Sequence, residues 1–391
     1  MSALPNDPLT PALSPVPGAR ESLQSPYPAS LSRWRERAGV RVGVCAALLT
    51  VAVLVPLLNL LVPIGHPLHL SDYAVALIGK IMCFAICALA MDLIWGYTGI
   101  LSLGHGVFFA LGGYAMGMYL MRQIGRDGNY QSDLPDFMVF LDWKTLPWHW
   151  AASDSFVATL LLIVLVPGLL AFVFGFFAFR SRIKGVYFSI ITQAMTFATM
   201  LLFFRNETGF GGNNGFTDFK RILGIAIAQP STRMVLFVIT GLTLIGFYLF
   251  ARWLVSSKFG RVLQAIRDAE SRVMFTGYDP LRYKLTIWVI SAVMCGVAGA
   301  LYVPQVGIIN PSEMSPAASI EIAVWAAVGG RATLVGPILG AIFVNGAKSW
   351  FTQAFPEFWL YFLGALFIAV TLFLPQGIIG LLKRRKTEPR S

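Results

Sequence analysis

Apolar runs long enough to cross a bilayer recur along most of this chain, and no other feature restricts its fold as much. They cover about 41–64, 72–95, 155–179, 186–205, 233–254, 285–306, 332–351 and 358–380. A helix rises about 1.5 Å per residue, so some 20 apolar residues span a hydrocarbon layer of about 30 Å. With 56% hydrophobic and 13% charged residues, the chain carries more apolar surface than a soluble core hides. The expected fold is therefore all-α, a polytopic integral membrane protein. Its formal charge of +11 does not point to nucleic acid, because the cations sit at the ends of apolar runs and are not interleaved with aromatics on one face. Residues 1–32, rich in Pro, Ser and Ala and without an apolar signal core, read as a disordered leader. Residues 33–382 form the membrane domain and 383–391 a basic tail.

Charge sets the expected orientation. Arg33, Arg35, Arg37 and Arg41 precede the first run, Arg180, Arg182 and Lys184 follow the run 155–179, and Lys383, Arg384, Arg385 and Lys386 close the last. Positive charge stays inside, so both termini are expected in the cytoplasm of a bacterial inner membrane. The segments 122–154, with Trp143, Trp148 and Trp150, and 206–233 then lie outside. The short piece 317–330 either crosses or turns back; crossing gives about ten transmembrane helices and keeps the basic tail inside, which is the preferred count. Two glycine-rich segments, 96–117 and 329–340, suggest helices that break, through Gly96, Gly99, Gly104 and Gly106 in the first and Gly336-Pro337 with Gly340 in the second. Paired broken helices point to a passage in transporters; close helix packing is the other reading, and Gly113 with Gly117 fits it.

Between two apolar blocks lies one long polar island, 252–284, with seven Lys and Arg against three acids. Val262, Ala265, Ile266 and Ala269 recur at helical spacing, and Gly277 with Asp279-Pro280 stops the helix. An amphipathic cytoplasmic helix of this kind implies a partner. Cys45, Cys83, Cys87 and Cys295 fall within spans and read as packing residues, with no metal site and no cofactor expected. No nucleophile, base and acid stand at a recognisable spacing, and no phosphate-binding loop is present. A multi-span chain with a docking helix but no energy source of its own reads as a permease subunit driven by a separate ATPase.

The series GYTGILSLGHGVFF, TGFGGNNGF, GRVLQAIRDAESRVMFTGYDPLRYKL and SIEIAVWAAVGGRATLVGPILGA resembles the permeases of branched-chain-amino-acid-type ABC importers over almost everything after residue 40. The external LPDFMVFLDWKTLPWHW and NETGFGGNNGFTDFKRILG are closer to the second permease of urea importers. The resemblance implies a second permease subunit, cytoplasmic ABC ATPase subunits and a periplasmic binding protein. Urea is the expected solute, with branched-chain amino acids or another small amide as the alternative. It also implies that Gly260, Arg261, Ala265, Arg267 and Gly277 belong to the loop that docks on the ATPase. An ATP-independent channel or a membrane-embedded enzyme is the rival class.

Polar groups at membrane depth are candidates for the passage, because they are costly unless paired or wet. Glu321 either accepts hydrogen bonds from an amide solute or pairs with a buried cation. Lys80 either snorkels outward or faces the path, and Asp92 caps or pairs near the inner surface. His105, flanked by Gly104 and Gly106, sits where backbone can approach a solute, or it packs between helices. Tyr187, Gln193, Gln305, Asn310 and Asn345 either line the pore or bond helix to helix. Asn213 and Asn214 either shape a tight outer turn through left-handed backbone or meet the binding protein.

Overall fold

A computed structural model describes residues 30–63 and 65–358, and among later residues 361, 362, 364–366, 368, 369 and 377–380. By contacts the chain divides into Met1–Ala46 and Ala47–Ser391. What is described of the first unit is the opening of helix α1 (Ser30–Leu60), and the rest of the description concerns the second. The leader expected over 1–32 lies outside the described residues up to residue 29, with helix already present at Ser30; the basic tail 383–391 lies wholly outside them.

The described part of the second unit is mostly helical. After α1 come α2 (Asp72–Thr98), α3 (His105–Arg122), a short α4 (Asp136–Phe140), α5 (Phe156–Arg180), α6 (Val186–Phe204), α7 (Pro230–Ser256), α8 (Lys258–Phe275), α9 (Pro280–Val306), α10 (Pro316–Gly329) and α11 (Val335–Ala354). Among the described residues, six helices are long and apolar enough to cross a membrane: α1 from Gly43, α2, α5, α6, α7 and α9. The 18 residues of α3 and 20 of α11 approach the same length with more polar sequences, and α10 is shorter. The expected last crossing, 358–380, lies partly outside the described residues.

Helix ends follow local chemistry. The Ser71 hydroxyl accepts the Ala74 N–H at the start of α2, and Ser315 accepts that of Ala318 before α10. The Asp279 carboxylate accepts the Leu281 N–H at 3.1 Å with Pro280 in the first helical position, so Asp279-Pro280 opens α9 as well as closing the loop before it.

The centre is α2 packed between α9, α7 and α11, buried on every side from Ala85 to Ile94. Beside it α3 crosses α9 with backbones nearly touching. A Cβ at Gly112 would overlap the Gly296 carbonyl, and one at Gly299 would overlap the Phe109 carbonyl. Gly112 thus faces Gly296, and Gly113 faces Gly299 together with the side chains of Val303 and Ile309, whereas Gly117, expected to share that close approach with Gly113, meets the side chains of Phe216 and Ile309. Outward faces of α5, α6 and α7 expose Leu161, Leu165, Phe172, Leu201 and Val235, which suits hydrocarbon.

Candidate functional site

Both glycine-rich segments are interrupted, the second at 330–334 and not at Gly336-Pro337 and Gly340, which lie within α11, and each interruption is held by side chains from a neighbouring helix. The first runs from Gly99, in left-handed backbone at φ 75°, to Gly104, before α3 starts at His105. Non-helical backbone among membrane helices needs hydrogen-bond partners, since it has no water to use. One face of α6 supplies them. The Ser189 hydroxyl donates to the Leu101 carbonyl at 2.8 Å, Thr192 accepts from the Leu103 N–H at 3.1 Å, and Thr196 donates to the Leu103 carbonyl at 3.2 Å. Beyond the break, Gly106 N–H donates to the Ser319 hydroxyl of α10 at 3.1 Å. Ser189, Thr192 and Thr196 went unread in the sequence, although their spacing of three and four on an apolar helix was visible.

The second break covers Gly330 to Leu334, with Gly330, Ala332 and Leu334 at positive φ. Here Asp92 of α2 does the holding: its carboxylate, fully buried, accepts the Ala332 N–H at 2.6 Å and the Leu334 N–H at 3.0 Å. Arg331 lies over the Trp95 ring at 4.6 Å. Gly336 is buried at the start of α11, where a Cβ would crowd Thr333 and the Gly330 and Gly329 carbonyls.

One turn beyond Asp92, the end of α2 meets α8. Arg267 donates to the Gly96 carbonyl at 2.8 Å, and its chain packs against Gly99. The second break, the end of α2 and the polar island are therefore in direct succession. Replacing Arg267 with Ala removes the guanidinium–carbonyl bond. The expected outcome is a Tm lower by about 2–5 °C in detergent and faster tryptic cutting at Arg261 and Arg272.

Helix α8 is amphipathic, but it is not one straight rod: at Ala269 the backbone leaves the helical region (φ −159°, ψ 76°). The buried face carries Gly260, Leu263, Ile266 and Val273, whereas Ala265, expected on that face, is exposed with Arg261. Gly260 sits against the end of α7, where a Cβ would overlap the Val255 carbonyl. Gly277 turns the chain at φ 85° with open space around it, a conformation that a branched residue adopts only under strain. Glu270 fixes the far half of α8 through Lys184 at 2.8 Å and Lys284 at 2.6 Å. Burial pushes this carboxyl up, but its bonds to the two ammonium groups outweigh that and leave it below the usual carboxylate range.

At the opposite end, segments 123–155 and 205–229 are built together. Trp150, fully buried, donates to the Gly209 carbonyl at 3.0 Å, and Arg221 pairs with Asp127 at 2.7 Å. Strand β1 (Phe216–Thr217) pairs antiparallel with β4 (Ile308–Ile309), and β2 (Arg221–Ile222) with β3 (Ile225–Ala226). Asn213 and Asn214 are exposed in this loop, but its left-handed positions are Gly209, Gly211, Gly212 and Gly215. The reason is space: a Cβ at Gly215 would overlap the Ile309 carbonyl.

The remaining candidates divide. His105 is fully buried, 2.7 Å from the Ser291 hydroxyl and 3.1 Å from that of Ser102, edge-on to Trp288. Gly104 beside it packs against Thr192 and Met195. Gln305 bonds Thr240 and the Leu301 carbonyl, and Asn345 the Ala341 carbonyl, so both are spent on helix contacts. Asn310 caps the turn Pro311–Met314, while Tyr187 is 75% exposed on α6. Glu321 pairs with Lys348 of α11, at 2.7 and 2.9 Å.

A bundle of apolar helices with two polypeptide breaks, each pinned by buried side-chain hydrogen bonds, has the build of a multi-pass membrane permease. The chain belongs to the family described as branched-chain amino acid transport system / permease component, whose model matches residues 73–371. It is 24% identical over 342 residues to the high-affinity branched-chain amino acid transport system permease protein LivM of Salmonella typhimurium, covering 82% of this chain and 73% of that one. LivM of Escherichia coli is 24% identical over 344 residues, with the same coverage. BraD of Pseudomonas aeruginosa, a permease protein of the same kind of system, is 24% identical over 304 residues, 76% of this chain and 91% of its own. No solved structure matches the chain.

Proposed function

We propose that this chain is one of two permease subunits of an ATP-driven importer for branched-chain amino acids. A binding protein delivers the solute at the outer surface formed by 123–155 and 205–229, and ATPase subunits dock on α8 from the cytoplasm. The carrying observation is α8 itself. Its inner side is fastened to the end of α2 through Arg267 and to Lys184 and Lys284 through Glu270. Its outer side leaves Arg261, Ala265 and Arg272 exposed, with Phe275 91% exposed beyond them. An apolar tip of that size beside cations is a surface for a partner protein. A push on it is delivered to Gly96, and through α2 to the loop that Asp92 holds. Positive-inside orientation places α8, both termini and the basic clusters in the cytoplasm.

The substrate reading rests on the relatives, which are named for branched-chain amino acid transport. Urea is the second reading, favoured by the external segments LPDFMVFLDWKTLPWHW and NETGFGGNNGFTDFKRILG. Uptake of labelled leucine and of labelled urea, compared in cells with and without this subunit, decides between them. The expected result is at least tenfold loss of leucine uptake without the subunit, an equal loss when the ATPase carries a dead catalytic site, and no change for urea. Uptake indifferent to the ATPase would instead mean an autonomous channel.

A further inference from the structure

His105, Gln305 and Asn345 make hydrogen bonds inside the bundle, but one cluster at membrane depth is differently made. Lys80 lies about 12 Å along α2 from its start. Its ammonium is 5.6 Å from the centre of the Phe84 ring and 5.8 Å from that of Tyr302. The Tyr302 hydroxyl donates to Glu313 at 3.1 Å. Phe84 in turn packs at 4.8 Å against Trp325 of α10. Trp325 is 3% exposed, and its indole N–H has no acceptor among the described residues. One helical turn earlier on α10 stands Glu321, bonded to Lys348.

Two ammonium groups and two carboxylates thus border an aromatic floor of Phe84, Tyr302 and Trp325, with no net charge and one spare buried donor. Lys80, Phe84, Glu313, Glu321 and Lys348 are neither fully buried nor fully exposed in the chain alone. Charged groups at this depth face protein or a wet cavity, not lipid. A cation and a carboxylate beside the same apolar rings suit a solute that is neutral overall, charge-separated at one end and apolar at the other.

We propose that Lys80, Glu313 and Trp325 form a station on the translocation path that holds the zwitterionic end of an α-amino acid. The solute carboxylate lies between the Lys80 ammonium and the Trp325 N–H, its ammonium faces Glu313, and its aliphatic side chain rests on Phe84 and Tyr302. Glu321 and Lys348, already joined, hold α10 against α11 beside it. The station rests on the substrate reading given above.

The test uses the complete importer in proteoliposomes with its binding protein, measuring labelled leucine moved per ATP hydrolysed. Trp325→Phe keeps a ring on Phe84 and removes only the donor; Lys80→Met keeps the stem and removes the charge. Each is expected to lower leucine moved per ATP at least fivefold, while ATP hydrolysis stimulated by loaded binding protein stays within twofold. Trp350→Phe, on the exposed side of α11, is expected to leave both unchanged. A ratio within twofold of the parent in both variants overturns the station, as does a parallel fall of hydrolysis and transport, which marks structural damage. If the parent importer moves urea and not leucine, the substrate reading falls and the station with it. Normal leucine transport by both variants removes the station alone.

Discussion

Asp92→Ala is expected to lower the Tm of the detergent-solubilised protein by about 8–15 °C and to abolish uptake. The carboxylate is fully buried and accepts two backbone N–H groups of the 330–334 break, from Ala332 and Leu334. Removing it strands both donors away from water, at about 1–3 kcal/mol each, and a large single-site loss is characteristic of such orphaned groups. Asp92→Asn keeps an acceptor but sets an N–H₂ against the second donor, so it should fall between the parent and the Ala variant. A thermal melt followed by tryptophan fluorescence, which Trp95 beside Arg331 reports locally, ranks the three. An Ala variant that melts with the parent would mean that the break is held by something other than Asp92.

Gly299→Val is the second large effect. A Cβ there would overlap the Phe109 carbonyl and lie 3.0 Å from the Gly113 nitrogen, so α3 and α9 must move apart along their whole contact. Overpacking usually costs about 1–3 kcal/mol when a side chain can yield, and backbone cannot yield in that way. The expected result is loss of the folded monodisperse protein on size-exclusion chromatography, with expression in the membrane sharply reduced. Gly246→Ala, on the exposed side of α7 with nothing within 4 Å, is the matched control and should be neutral or slightly stabilising. Equal behaviour of the two variants would show that the α3–α9 crossing does not depend on bare backbone contact.

These two positions show what the sequence alone conveyed. Apolar run length located α2, α5, α6, α7 and α9 within a few residues, because length and hydropathy are local properties fixed by bilayer thickness. Glycine density located both breaks for a similar reason: Gly99 and Gly330 sit at positive φ, a conformation that costs little only where no Cβ is present. The polar island with a stop at Gly277 was legible as an amphipathic helix, since its apolar residues repeat at helical spacing.

Pairwise matters were decided only in three dimensions. Which glycines make the closest crossing depends on what stands opposite, so Gly112 and Gly113 meet the backbone of α9 at Gly296 and Gly299, whereas Gly117 meets side chains. Ala265 faces outward although its spacing matched the apolar side of the helix, and the loop glycines took the left-handed positions that Asn213 and Asn214 were expected to share. Asp92 caps a loop 240 residues away in sequence, and Ser189, Thr192 and Thr196 serve a break about 90 residues before them. A lone carboxylate or a hydroxyl in an apolar run signals that a partner must exist, because burying it unpaired is costly, but not which partner. The chain's own order therefore determined that it is a helical membrane protein with two interrupted segments; the tertiary structure alone decided which side chains pin those interruptions, because pairing across the bundle is not a local property.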